Sequence, residues 1–148
     1  MGKKVIQTAD APAAIGPYSQ AVQVGNTLYM SGQIPLDPTT MQIVDGGIDV
    51  QAKQVFANLR GVAKAAGATL NDIVKLTILL TDLAEFTKVN DVMAAHFDAP
   101  YPARATYQVA ALPRGAKIEV EAMLALPGTG DANAQTGWRE TFDQTKGQ

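Results

Sequence analysis

The chain has 148 residues, 47% hydrophobic and 18% charged, a size and composition suited to one compact domain with its own core. A formal charge of −2 leaves no basic excess to neutralise a row of phosphates, so nucleic acid is not an expected partner. With no Cys and a single His, thiol nucleophiles, disulfides and thiolate or paired-His metal sites drop out, and no metal is expected. The first residues turn polar too early for a secretion signal, and no apolar run approaches the roughly 18 residues that span a bilayer. A soluble, cytoplasmic protein is the expectation.

In chain order, residues 21–31 alternate apolar and polar side chains around Gly25-Asn26, a dipeptide suited to a tight hairpin turn, and predict two strands. Pro35, Asp37-Pro38 and Asp45-Gly46-Gly47 then break the chain into turns, with a short strand expected at 42–44. From Asp49 as N-cap, Ala52, Val55, Phe56, Leu59, Ala63 and Ala66 recur at helical spacing until Gly67 stops the helix. Residues 73–80 are too few and too β-branched for another helix and read as a buried strand. Asp82 and Glu85 resemble a capping box opening a second helix, whose apolar stripe is Phe86, Val89, Met93 and Phe97. Pro100 and Pro102 end it, and two last strands, 105–109 and 117–126, are joined through Pro113 and Gly115. The folded domain is expected over 1–127. Residues 128–148, small and polar apart from Trp138 and Phe142, predict a flexible tail.

The order suggests an α+β layer, two helices covering one face of a mixed sheet. Residues 73–80 carry apolar side chains on both sides, so the opposite face also needs cover, and a homo-oligomer is the expected source. In the last two strands, Ala105, Tyr107 and Val109 form one set and Ile118, Val120, Ala122 and Leu124 another, both expected to look toward the helices. Arg104, Thr106 and Gln108 would then share the far face with Lys117, Glu119 and Glu121. A hairpin about Leu112-Pro113 would bring Thr106 near Glu119 and Arg104 near Glu121. Such a cluster is either a surface ladder of paired charges or, if covered by a second copy, an Arg–carboxylate pocket. Asn90, set among Phe86, Met93 and Phe97, serves either a backbone partner or that pocket. Tyr18 is a core-edge aromatic or a pocket wall, and Ser31-Gly32 a turn or a hydroxyl beside a close backbone approach.

No nucleotide loop, nucleophile elbow or paired-His helix competes. Taken together, the segments 13–21 (AAIGPYSQA), 31–35 (SGQIP), Val89-Asn90, Pro102-Ala103-Arg104 and 117–122 (KIEVEA) resemble the reactive intermediate deaminase (Rid, YjgF-type) family, and within it the RidA branch. The resemblance implies a chorismate-mutase-like α+β fold, a homotrimer and sites between subunits. It implies hydrolysis of 2-iminopropionate and 2-iminobutyrate to 2-keto acids and ammonia, without a cofactor. Arg104 would grip the substrate carboxylate and Glu119 position or activate water, while Tyr18, Ser31, Gly32, Asn90 and Thr106 line the pocket. Many relatives carry Cys where this chain has Thr106, which bears on substrate preference. Two rivals use the same fold: a regulatory module that holds a small carboxylate without turnover, and an RNA-cleaving translation inhibitor.

Overall fold

The computed structural model describes residues 2–128 of the chain. Within them run β1 (Lys4–Ile6), β2 (Ala21–Val24), β3 (Thr27–Gln33), α1 (Ile48–Ala65), β4 (Ile73–Leu80), α2 (Phe86–His96), β5 (Ala103–Gln108) and β6 (Ile118–Ala125). The hairpin read from residues 21–31 is β2–β3, with Val24 opposite Thr27 and Gly25 at φ +59° in the turn. The helix expected after Asp49 begins two residues earlier. Gly47 is its N-cap, its carbonyl accepting the Gln51 N–H, and Asp49 sits in the first turn, where a negative charge suits the helix dipole. No strand forms at 42–44: a single bridge between Leu36 and Ile43 is all that pairs there. Asp82 caps a short 3-10 turn, accepting the Ala84 N–H, and α2 starts only at Phe86. The tail expected over 128–148 lies, beyond Gly128, outside the described residues.

All six strands join one mixed sheet in the order β1-β2-β3-β6-β4-β5. A parallel neighbour requires a crossover, and α2 supplies it between β4 and β5. β6 pairs antiparallel with both β3 and β4 and so stands between them. The predicted β5–β6 hairpin is therefore wrong. The chain leaving β5 rounds the end of β4, with the Val109 N–H bonded to Leu80 O and the Thr81 N–H to Lys117 O, and enters the sheet on the other side. An apolar strand such as β4 is better placed inside the sheet, with both edges paired, than at its rim.

Helices α1 and α2 pack on one face. Val55, Phe56, Leu59 and Val62 of α1 and Val89 and Met93 of α2 meet Leu28, Leu76, Ile78, Leu80, Val120 and Leu124 of the sheet in one cluster. Each fully buried Leu, Ile, Val or Phe in such a core stabilises the fold by roughly 1.5–3 kcal/mol. Phe56 meets Phe97 edge-on, with ring centroids 5.5 Å apart, and this contact joins the two helices at the end of α2. The opposite face carries no layer from the described residues: Val5 (58%), Tyr29 (50%) and Tyr107 (57%) stand exposed on it.

Candidate active site

Strand pairing decides which way each candidate points. Residues opposite one another on neighbouring strands project to the same side. Arg104 lies opposite Leu76 and Thr106 opposite Ile78, and both β4 residues are buried beneath the helices. Arg104 and Thr106 therefore face the helix side, contrary to the sequence reading, and Tyr107 and Ala105 face the bare side. The alternation along β5 was read correctly. Its sense is the reverse of that expected because the apolar set does not join the core: Tyr107 lies opposite Leu79 on the bare face and is 57% exposed.

At the edge of the helix layer, the Arg104 guanidinium lies against α2. Its Nη1 donates to Asn90 Oδ1 at 2.6 Å and approaches the Met93 sulfur at 3.6 Å, while its Cζ sits 5.1 Å from the centre of the Phe86 ring. Residues 86, 90 and 93 share one face of α2, so a single helical surface supplies a π-face, an amide oxygen and a sulfur. The remaining guanidinium N–H groups have no side-chain or backbone acceptor among the described residues. A planar donor held along one edge in this way presents its other edge for a two-point bond to a carboxylate. The Thr106 hydroxyl, two residues along the same strand face, is buried and has no hydrogen-bond partner within the described residues. Buried polar atoms are nearly always satisfied, and this one is an exception within the described residues.

A second group gathers elsewhere. Glu119 lies opposite Leu79, between the buried Ile118 and Val120, and so points to the bare face. Burial raises its pKa above the usual carboxylate value, and the charge of Glu121 adds to the rise. Gly32 leaves the space that this carboxylate needs: a Cβ there would stand 3.0 Å from Glu119 Cδ. Beside it, the Ser31 hydroxyl donates to Ser19 O and the Ser31 N–H to Gln20 O, tying the Tyr18 loop to the end of β3. Tyr18 is 55% exposed, which rules out a core-edge role in the single chain.

The predicted residues thus form two clusters, Arg104, Asn90 and Thr106 on one face of the sheet and Ser31, Gly32 and Glu119 on the other. β4 lies between β5 and β6, so the clusters are also two strand spacings apart, roughly 10 Å. One small ligand cannot touch both in a single chain. Of the residues that hold Arg104, Phe86 and Met93 were read only as apolar stripe. Their spacing with Asn90 was visible, but not the strand that they would face. Among the described residues no group of His, Asp and Glu could hold a metal ion, and no helix is long and apolar enough to cross a membrane.

Residues 8–126 match the family described as Endoribonuclease L-PSP. A mouse protein named 2-iminobutanoate/2-iminopropanoate deaminase is 54% identical over 121 residues, 82% of this chain and 90% of its own length. Among solved structures, RidA from the Antarctic bacterium Psychrobacter sp. PAMC 21119 superimposes with a TM-score of 0.81 at 52% identity, covering 83% of this chain and 99% of that one. The Escherichia coli protein TdcF, crystallised with bound serine, has a TM-score of 0.79 at 40% identity, covering 84% and 99%.

Proposed function

Because this chain belongs to the Endoribonuclease L-PSP family, in its RidA branch, we propose that it is a 2-iminobutanoate/2-iminopropanoate deaminase, a hydrolase that converts 2-imino acids to 2-keto acids and ammonia. The observation that carries the chemistry is the Arg104 guanidinium, held at Nη1 by Asn90, set over the Phe86 ring and open along its other edge. Its open edge takes the substrate carboxylate by two parallel bonds, which fixes the adjacent imine carbon. Thr106 stands two residues along the same strand face, beside the bound ligand.

Glu119 handles water. As a carboxylate it accepts a proton from a water molecule as the oxygen bonds to the carbon of the protonated imine and the C=N π pair moves to nitrogen, giving a neutral carbinolamine. The protonated acid then returns that proton to the nitrogen, the C–N bond breaks with its pair leaving on ammonia, and the carboxylate takes the hydroxyl proton as the carbonyl forms and passes it to the departing ammonia. A raised pKa suits both duties, since it makes the carboxylate a better base and keeps its acid form accessible nearer neutrality. The imine carbon is electrophilic without activation, so two side chains and an ordered water complete the reaction, with residues 1–127 as the folded catalytic domain.

Since Arg104 and Glu119 of one chain point to opposite sides of the sheet, each site takes Arg104, Asn90 and Thr106 from one copy and Tyr18, Ser31, Gly32 and Glu119 from its neighbour. The bare face, with Val5, Tyr29 and Tyr107 exposed, supports an assembly that buries it, and the reading is a cytoplasmic homotrimer with three such sites. Mixing tests this directly. Arg104→Ala and Glu119→Gln, each inactive alone, are unfolded together in equal amounts and refolded as mixed oligomers. Random assembly then leaves about a quarter of the sites with both native residues, and about a quarter of native activity returns. No recovery from verified mixed oligomers would place both residues in one chain's site and overturn the shared arrangement. The RNA-cleaving alternative finds no support in the charge of −2.

A further inference from the structure

Between β1 and β2 the chain runs through residues 7–20 without helix or strand. This segment is nevertheless held at three points. Gln20, 3% exposed, shares the two hydrogens of Nε2 among the carbonyl oxygens of Thr8 (3.0 Å), Ala11 (3.2 Å) and Pro12 (2.8 Å), and its Oε1 accepts the Thr8 N–H at 2.7 Å. One buried amide thus does for this loop what ladder bonds do for a strand. From beneath, α1 meets the loop at Gly61: a Cβ there would lie 2.5 Å from the Asp10 carbonyl oxygen, so the loop seats on bare helix backbone. At the far end, Ser31 holds Ser19 and Gln20.

What this frame supports is a tip built for something outside its own core. Ile15 (72%) and Tyr18 (55%) stand exposed there. The tip is also closed on itself: the Tyr18 N–H donates to Gly16 O at 2.9 Å, and the Ile15 N–H to the Tyr18 hydroxyl at 3.3 Å. Gly16 makes the turn possible at φ +131°, a backbone conformation that other residues rarely adopt. Two large apolar side chains carried in water on an ordered loop are poorly explained by the fold of the single chain.

We propose that Gln20 is a positioning residue for imine hydrolysis, acting through the loop to set where Tyr18 meets the substrate. The inference rests on the reading above that Tyr18 lines the site. Gln20 touches neither substrate nor reacting atoms. Its part is to hold the 8–12 backbone in one conformation, so that the tip is presented at one depth. Without it, three carbonyls and an N–H lose their partner and turn toward water, carrying the tip with them.

Gln20→Met keeps the length and volume of the side chain and removes every one of these bonds. With 2-iminobutanoate released in situ by threonine dehydratase, kcat/KM is expected to fall about 10- to 100-fold, the scale of an ångström-sized misplacement, and mainly through KM. Tyr18→Ala lowers kcat/KM as well. The double variant Gln20→Met/Tyr18→Ala should be no worse than Tyr18→Ala alone, because both changes interrupt one route, whereas a general loss of fold would add to it. Additive losses, or an unchanged Gln20→Met, would overturn the proposal while leaving Tyr18 in the pocket. An unchanged Tyr18→Ala would remove Tyr18 from the pocket and the proposal with it. If Gln20→Met does not fold, Gly61→Ala lifts the same loop from the helix side while favouring α1 by intrinsic propensity. It should give the same loss in kcat/KM and the same non-additivity with Tyr18→Ala, and native kinetics from Gly61→Ala would equally overturn the inference.

Discussion

On the sheet face that carries α1 and α2, Leu76, Ile78 and Val120 are fully buried, whereas on the opposite face Val5, Tyr29 and Tyr107 remain half exposed or more. The first face completes a core within one chain and the second does not. The chemistry divides along the same line, with Arg104 at the margin of the covered face and Glu119 on the bare one. On the proposed reading, a chain can therefore be fully folded and still hold only two halves of a site, each half completed by another copy. The halves also differ in kind. Arg104 is held by contacts that α2 supplies, and Glu119 by space that Gly32 leaves.

Arg104→Ala should have the largest effect, a loss of about 10³-fold or more in kcat/KM with the oligomer intact, because it removes the proposed carboxylate anchor. Gel filtration beside the keto-acid assay checks both parts, and a variant that retained activity would break the comparison at its first term. Glu119→Gln follows, with about a 10²-fold loss in kcat and a smaller change in KM. Its pH behaviour sharpens the point. Burial, then the charge of Glu121, raises the Glu119 pKa. On the proposed mechanism, the working carboxylate therefore forms at higher pH than in an ordinary Glu, and the acid limb of kcat/KM against pH lies correspondingly high. Glu121→Gln removes a neighbouring negative charge, lowers the Glu119 pKa and should move that limb to lower pH. A limb that stays in place would assign it to another group. In the folded protein, ionised Glu119 also costs stability, a cost that grows as pH rises from the unfolded pKa through the folded one.

Gly32→Ala tests the second half-site without changing its charge. The new methyl group crowds Glu119 Cδ from 3.0 Å, and we expect about a tenfold fall in kcat at nearly native thermal stability, since a displaced carboxylate still ionises but no longer meets water correctly. Phe86→Leu gives the smallest change. It removes the π-face under the guanidinium, worth about 0.5–1 kcal/mol at an exposed site, and should raise KM about two- to fivefold with kcat near native. A kcat effect larger than that of Gly32→Ala would reverse the ranking and give α2 a direct part in the chemistry.

Periodicity along the chain was enough to locate α1, α2, the β2–β3 hairpin and β4, because these patterns arise from bonds and burial within a few residues. The segments around Tyr18, Ser31, Asn90, Arg104 and Glu119 were legible as one family's signature even though their geometry was not. Alternation along β5 separated Arg104 and Thr106 from Ala105 and Tyr107, but nothing local says which set faces the core. That follows from the strand alongside, and the pairing of β5 with β4 joins residues 75–80 to 103–108 through a crossover. The same long-range pairing, not composition, put Phe86 beneath Arg104 and set Glu119 on the other side of the sheet. Local sequence determines which elements form and which residues share a strand face or helix stripe. Only tertiary pairing decides what each of them meets, because strand neighbours are chosen by contacts between distant segments.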